Sequence, residues 1–362
     1  MKRYPGTSER VLHFLTFMRE VPYITSADFI RYFYPLNKVK SYALDTLRIL
    51  VRRKWLARYR LNDGSNIYYL TEEGHAEASG YAQFRLRFDP VKGCLYYLKP
   101  PRFDNEKPGF IYLPAPLLDF RLFSYSMLSS YQYLHTRGVL EFLYLVRKAN
   151  RVLYSVNLDM VKSKKTALQI QSNPDILLTN DIQDSQNRIL IEFENSKIWE
   201  GGLLAKLNNI ARETADSILF LCGSEGILKN LGRILNKLVA GDFVKAGMRA
   251  LPSKEALASL QSRMYFGTWR PSYLNGGEVH RLSEILLFRY DAKLFEPGHW
   301  QQKVINGILQ RDDFGNPIMV YNEQLAREEG IPFTDFLADF QVGFVEKIRG
   351  LSREQAAYSV SE

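Results

Sequence analysis

The chain has 362 residues, of which 46% are hydrophobic, so it is long enough for two domains with their own cores. Its formal net charge of +9 and pI near 9.3 indicate a polyanionic partner. The only cysteines, Cys94 and Cys222, exclude a disulfide framework and a cysteine-rich zinc site, and no apolar run is long enough to predict a membrane span. We therefore expect a cytoplasmic protein that does not bind membranes.

Residues 1–80 carry the pattern of three helices followed by a hairpin. Apolar residues recur at helical spacing from Val11 to Met18, from Phe29 to Phe33, and again within residues 37–54. Two short strands, 56–61 and 67–70, then flank the turn signal of residues 62–65. This order predicts a winged helix-turn-helix domain.

The third helix has the composition of a DNA reader. Residues 1–60 contain thirteen Lys or Arg against four acidic residues, a net charge equal to that of the whole chain. A recognition helix places its first residues against base edges, and flanking cations meet phosphates. The residues that we expect to contact double-stranded DNA from this helix are Asn37, Lys38, Lys40, Ser41, Tyr42, Arg48, Arg52 and Arg53. Two alternatives remain open, since such a domain can dock a protein and a charged helix face can be merely solvated.

The following stretch, 81–119, is rich in proline from Pro100 onward, which predicts a linker or a strand-poor insertion. A helix is then predicted over about 122–150 and includes Glu141. Short strands are predicted at 152–158 and 168–170. The basic turn between them is suited to phosphate contacts through Lys162, Lys164 and Lys165.

Three carboxylates have a controlled spacing in the next two predicted strands. Asp175 follows Pro174 at the start of one strand, and Glu192 and Glu194 share a face of the other because side chains alternate. A polar turn over 180–187 folds the second strand back beside the first. Converging carboxylates favour a hard divalent cation such as Mg²⁺ or Mn²⁺. The alternative is a pair of glutamates on the solvent face of an edge strand.

The Pro-Asp dipeptide followed by Glu-x-Glu at a strand end resembles the PD-(D/E)xK nuclease fold. The resemblance implies that Asp175, Glu192 and Glu194 bind the metal and take part in catalysis, with Glu141 as a further candidate ligand. Glu194 occupies the usual lysine position, so the lysine role is assigned to Lys197 or Lys206. Strand 217–222 and the helices 203–214 and 225–239 complete the order of an α/β nuclease core, which we assign to residues 120–300.

Residues 301–362 are predicted to be a helical C-terminal extension, because the pattern from Asn322 onward is amphipathic. Such an extension suits a partner protein or a homodimer interface. The fold class predicted for the whole chain is α/β (α+β). It comprises an N-terminal winged helix-turn-helix, a PD-(D/E)xK-like domain and this helical extension.

The combination also resembles one family of mobile-element proteins. A winged helix ending in the sequence of residues 68–74, then Pro174-Asp175, Glu192-x-Glu194 and a helix bearing Lys206 are similar to the replication-relaxation family, which includes mobilisation relaxases of the MobC type. The resemblance implies a relaxase-like, metal-dependent endonuclease or nickase of a plasmid or other mobile genetic element, acting with other mobilisation or replication proteins. The alternative is a non-catalytic DNA-binding regulator or replication accessory protein with a degenerate nuclease fold.

Two other kinds of chemistry are disfavoured by the sequence. The five histidines show no pairing of the kind that holds a metal beside a nucleophilic tyrosine. No G-x-x-x-x-G-K-[ST] loop is present, so no nucleotide-hydrolysing engine is predicted.

Overall fold

The structure is a computed structural model with mixed helix and strand content. It describes residues 9–34, 40–89, 94–97, 118–123, 130–149, 154–179, 188–195, 200–211, 213–215, 217–240, 254–269, 286–291, 295, 298, 300–311, 317, 319–328 and 333–335. The chain divides into two units, of which the first comprises Met1–Leu168 with Thr179–Gln183 and the second comprises Gln169–Leu178 with Asp184–Glu362. No helix of the described residues has the length and apolar character needed to cross a membrane.

The first unit begins with three helices and a small antiparallel sheet. Its elements are α1 (Glu9–Met18), β1 (Ile24–Thr25), α2 (Ser26–Phe33), α3 (Lys40–Arg52), β2 (Leu56–Arg60) and β3 (Asn66–Leu70). The sheet has the order β1-β3-β2. The three predicted helices and both hairpin strands are therefore present, with bounds that differ by a few residues.

Local signals in the sequence explain this part of the fold. Thr25 and Asp28 form a capping box that starts α2, because each side chain accepts from the other residue's backbone N–H. Phe14 on α1 packs against Phe29 and Phe33 on α2, with ring centroids 4.5 and 5.0 Å away. The hairpin turn uses Gly64 at φ +83°, a conformation that glycine adopts without strain.

The region predicted as a linker starts with regular structure. Helix α4 (Glu72–Arg85) runs into it, followed by the hairpin of β4 (Leu86–Asp89) and β5 (Cys94–Tyr97). The proline-rich residues 98–117 lie outside the described residues.

The first unit continues with α5 (Ser130–Ala149), β6 (Tyr154–Asn157), a 3₁₀ turn at Leu158–Met160 and α6 (Lys164–Leu168). The predicted helix over 122–150 and the strand over 152–158 are thus present in shortened form. The predicted strand at 168–170 is wrong, since Leu168 ends a helix. The N–H groups of Thr166 and Ala167 both donate to the carbonyl of Ser163, which closes a helical turn there.

The second unit is built on a mixed sheet covered by helices. Its elements up to residue 289 are β7 (Ile176–Thr179), β8 (Arg188–Glu194), α7 (Glu200–Ile210), β9 (Ser217–Cys222), α8 (Glu225–Val239), α9 (Lys254–Arg263), β10 (Met264–Thr268) and β11 (Leu286–Arg289). These strands, with β16 (Phe333–Asp335), follow the order β16-β11-β10-β9-β8-β7. Strands β8, β9 and β10 are parallel, and β11 and β16 add antiparallel pairings.

Strand β8 is a fully buried central strand. All seven of its residues are buried, and it pairs in parallel with β9 over Ile189–Glu194. Helix α7 connects these two strands, as parallel neighbours require. The alternative in which Glu192 and Glu194 lie on the solvent face of an edge strand is therefore wrong, and both carboxylates are in the interior.

The predicted helical extension is also largely wrong where the structure describes it. Strands β12 (Trp300–Gln302), β13 (Val304–Ile305), β14 (Ile308–Leu309) and β15 (Met319–Tyr321) precede the short helix α10 (Glu323–Glu328) and β16. The segment around Asn306-Gly307 has the signal of a tight hairpin and lies before Asn322, where the amphipathic pattern begins. Residues 336–362 lie outside the described residues.

Candidate functional site

Asp175 is held against β8 by two hydrogen bonds at the entry to β7. Its backbone N–H donates to the carbonyl of Ile191 over 2.9 Å, and its Oδ2 accepts from the N–H of Phe193 over 2.6 Å. The side chain is 6% exposed. The carboxylate of Asp175 is thus fixed beside the backbone of Phe193, the residue between Glu192 and Glu194 on β8.

A second contact fixes the segment that leads to Asp175. The buried carboxylate of Glu213 accepts from the N–H of Ser172. Arg263 donates to the carbonyls of Glu213 and Ala215, over 2.8 and 2.6 Å. Sequence reasoning missed this arrangement, because its residues come from separate loops with no shared spacing.

Glu192 and Glu194 lie on one face of β8 and share one lysine. Lys206 Nζ lies 2.8 Å from Glu192 Oε2 and also donates to Glu194 Oε1. Lys206 is on α7, which follows β8, so the helix brings it over the strand that carries the acids. Of the two lysines predicted for this role, Lys206 therefore contacts both glutamates. Lys197 lies outside the described residues.

The charges of this cluster are strongly coupled. The pKa of Glu192 is raised to about 8: burial is the largest cause, Asp175 and Glu194 add to the rise, and the Lys206 ammonium opposes it. Burial alone would lower the pKa of Lys206, but the neighbouring carboxylates of Glu192 and Glu194 outweigh it and raise this pKa well above its ordinary value. The single positive charge of Lys206 therefore belongs to a cluster with three carboxyl groups, Asp175, Glu192 and Glu194, and cannot neutralise all of them.

One oxygen of the cluster is left unsatisfied. Glu192 Oε1 is buried and has no hydrogen-bond partner among the described residues, although its other oxygen binds Lys206. A buried carboxylate oxygen without a partner is costly and calls for a ligand. Asp175, Glu192 and Glu194 carry oxygen donors of the kind that Mg²⁺ and Mn²⁺ prefer.

The predicted metal ligand Glu141 and the three lysines predicted to contact phosphates belong to the first unit. Glu141 is on α5 and is 3% exposed. Lys162, Lys164 and Lys165 lie at the turn that starts α6, and Lys162 Nζ is 3.2 Å from the exposed carboxylate of Asp119. Both partners are exposed, so this ion pair contributes little stability and leaves Lys162 able to contact a phosphate.

Helix α3 presents an exposed face of mixed polar and apolar residues in the first unit. Its exposed positions recur every three or four residues, as expected for one side of a helix. They are Ser41, Tyr42, Asp45, Arg48, Ile49 and Arg52. Arg53 follows directly and is also exposed, whereas Lys40 is the first residue of the helix. Asn37 and Lys38 lie outside the described residues.

Strand β2 adds arginines that the sequence analysis did not single out. Arg58 and Arg60 are exposed and two residues apart, so they share a face of the strand. Their signal was the alternation of Arg58, Tyr59 and Arg60 beside the turn.

No family model matches this chain, and no curated protein or solved structure is significantly similar to it.

Proposed function

We propose that this chain is a metal-dependent DNA endonuclease or nickase of a mobile genetic element. In this proposal the first unit carries a winged helix-turn-helix that binds double-stranded DNA, and the second carries a PD-(D/E)xK-like nuclease site related to the replication-relaxation family. The observation that carries the proposal is the buried cluster of Asp175, Glu192, Glu194 and Lys206. Buried carboxylates with strongly shifted pKa values concentrate at functional sites.

The carboxylates and the lysine of the cluster have different roles in this proposal. Asp175, Glu192 and Glu194 would hold Mg²⁺ or Mn²⁺, which when bound polarises a phosphodiester and lowers the pKa of a coordinated water. Lys206 holds a proton at Nζ and places positive charge beside the carboxylates, where negative charge accumulates when a phosphodiester is attacked. Its side chain is 31% exposed, so it is the member of the cluster that solvent reaches most.

DNA binding is supported by the first unit. Exposed Arg48, Arg52 and Arg53 lie on or next to the exposed face of α3, and Arg58 and Arg60 extend the positive charge onto β2. The helix and the hairpin together form the surface that we assign to double-stranded DNA.

A second candidate function is a DNA-binding regulator without catalysis. The ion pairs of Lys206 with both glutamates favour it, because a lysine that closes an acidic cluster can be a purely structural device. In that case the second unit would serve as a scaffold for a partner or for dimerisation.

Plasmid cleavage separates the two functions. Supercoiled plasmid carrying the chain's own upstream DNA would be incubated with Mg²⁺ or Mn²⁺ and with wild type, Asp175→Asn, Glu192→Gln or Lys206→Met. We expect open circles with wild type and metal only, and a reduction of at least about 100-fold in rate for the acid variants.

The control variant is Glu328→Gln, which removes an exposed carboxylate on α10 and should cleave like wild type. Supercoils that stay intact in every lane, together with a gel shift of the same plasmid, would overturn the nuclease and support the regulator. Cleavage that persists in Asp175→Asn and Glu192→Gln would show that the activity lies elsewhere or comes from a contaminant.

A further inference from the structure

The hairpin of β13 and β14 ends in an apolar tip. Val304 pairs with Leu309 and Ile305 pairs with Ile308, joined by Asn306 and Gly307. Both turn residues have positive φ, 50° and 80°, as in the two-residue turns that match strand twist. The two strands are therefore joined by a tight turn, and the backbone conformation of the tip is well defined.

Both faces of this tip are apolar and open to solvent. Val304 is 56% exposed, Ile305 46% and Ile308 67%. Val304 and Ile305 are successive residues of one strand, so they point to opposite faces. Ile305 and Ile308 are paired and therefore share one face, and Val304 lies on the other, so this small element exposes large aliphatic side chains on both faces.

The base of the hairpin carries two exposed cations. Lys303 and Arg311 are exposed just before and just after the strands, and the N–H of Gln310 donates to the carbonyl of Lys303 over 2.9 Å. No acidic residue occurs from Trp300 to Arg311, and the next two residues, Asp312 and Asp313, lie outside the described residues. An apolar tip with cations at its base suits a ligand that has an apolar interior and anionic groups on its surface.

We propose that this hairpin is a wedge that inserts Ile305 and Ile308 between the stacked bases of duplex DNA. Lys303 and Arg311 would meet the flanking phosphates. A flat protein surface would cover one face of the hairpin and leave the other in water, whereas a gap between base pairs encloses both. Aliphatic wedges of this kind unstack a base step and kink the duplex. The proposal rests on the proposed function as a DNA-binding protein and adds local opening of the duplex to it.

The linking number of a closed plasmid tests the wedge. Relaxed plasmid would be treated with a type I topoisomerase that needs no metal, in EDTA, with increasing amounts of the full chain, and then deproteinised. We expect wild type to leave the plasmid underwound, because unstacking at the wedge unwinds the duplex.

Ile305→Ser with Ile308→Ser is the test variant, and Val239→Ser, at an exposed aliphatic position of α8, is the matched control. We expect the tip variant to lose the underwinding and to bind duplex about tenfold more weakly. The control should behave as wild type. Because the tip is exposed, the variant should keep the wild-type circular dichroism spectrum.

Other outcomes overturn the wedge and separate it from the proposed function. Duplex binding by wild type without a change in linking number would overturn the wedge and leave DNA binding intact. A failure of wild type to bind duplex would overturn both proposals. Self-association of wild type that disappears in the tip variant, with unchanged linking-number behaviour, would overturn the wedge and make the hairpin a contact between copies of the chain.

Discussion

At the scale of single residues, Gly232 shows how tightly the second unit is packed. A Cβ atom at this position of α8 would lie 1.8 Å from Cδ1 of Phe295, whose side chain is only 6% exposed. The ring also packs edge-on against Phe266, with centroids 5.5 Å apart. The absence of a side chain at Gly232 is therefore what admits the ring to this core.

Gly232→Ala should destabilise the chain by about 1–3 kcal/mol, because the ring must leave its place or the helix must shift. Gly226→Ala is a control on the same helix, since its Cβ would meet only Ser224 Oγ, at 3.8 Å. Urea unfolding followed by circular dichroism measures both. Equal midpoints for the two variants would contradict the packing described for Phe295.

His75 provides a pH dependence that belongs to the first unit. Burial lowers its pKa, Arg19 and Lys162 lower it further, and Asp119 opposes them. A histidine whose pKa is lower in the folded chain stabilises it above the ordinary value of 6.5 and loses that stabilisation as the pH falls toward the folded pKa.

We therefore expect the unfolding midpoint of wild type to fall more steeply below pH 6.5 than that of His75→Gln, which cannot titrate. At pH 7.5 the side chain at position 75 is neutral in both proteins, so the difference between their midpoints at that pH is the reference for the lower pH values. Thermal unfolding between pH 7.5 and 5 measures the difference. Parallel curves would show that His75 is not desolvated in the folded chain.

At this scale the sequence was enough to predict the acidic residues of the cluster, but not their burial or their hydrogen bonds. Alternation along β8 was enough to place Glu192 and Glu194 on one face, and the helix after the strand was enough to make Lys206 a candidate. The burial of both faces of β8 was not visible, because charged residues at alternate positions are also typical of surface strands. The hydrogen bond from Phe193 to Asp175 depends on strand pairing, which spacing alone does not determine.

At the scale of elements, the arginines of α3 should control how duplex binding depends on salt. Each phosphate that a protein neutralises contributes about 0.9 to the steepness with which log affinity falls against log salt. Arg48→Ala with Arg52→Ala should therefore make this slope shallower by about two and weaken duplex binding at low salt. Fluorescence anisotropy over a salt series measures both quantities.

Arg233→Ala is the control for the α3 variant, because Arg233 is an exposed arginine on a helix of the second unit. It should leave the slope unchanged. A slope that changes equally in both variants would mean that the charge of the chain acts as a whole and that α3 has no special part in binding.

The sequence predicted elements well where one signal dominated. The helices before residue 54, the hairpin at Gly64, β9 and α8 each have a clear period or turn signal. The predicted strand at 168–170 was wrong because three residues are too few to show a periodic pattern of apolar side chains. The hydrogen bonds to the carbonyl of Ser163 instead form a helical turn that ends at Leu168. The helical prediction was wrong for residues 301–321, because it extended an amphipathic pattern that begins only at Asn322 over the hairpin signal of Asn306-Gly307; α10 lies where that pattern begins.

At the scale of the whole molecule, metal binding should appear as stability. An ion that binds only the folded chain raises its unfolding free energy by RT ln(1 + [L]/Kd), about 2.7 kcal/mol at 100 times Kd. We expect millimolar Mn²⁺ or Mg²⁺ to raise the Tm of wild type but not that of Asp175→Asn. Calorimetry in buffers freed of other divalent ions checks this, and Glu328→Gln should retain the wild-type response. An equal rise in all three proteins would indicate binding outside the acidic cluster.

The amine of Lys206 also bears on how the chain is made. A cluster of buried carboxylates with no internal cation would have to wait for an external ion before it could fold, as small zinc domains do. Here a covalently attached cation is delivered with the chain itself, shortly after β8 in the order of synthesis. Neutralisation of this cluster in the nascent protein would thus not depend on the supply of divalent ions, and the ion proposed above would bind after the chain has folded.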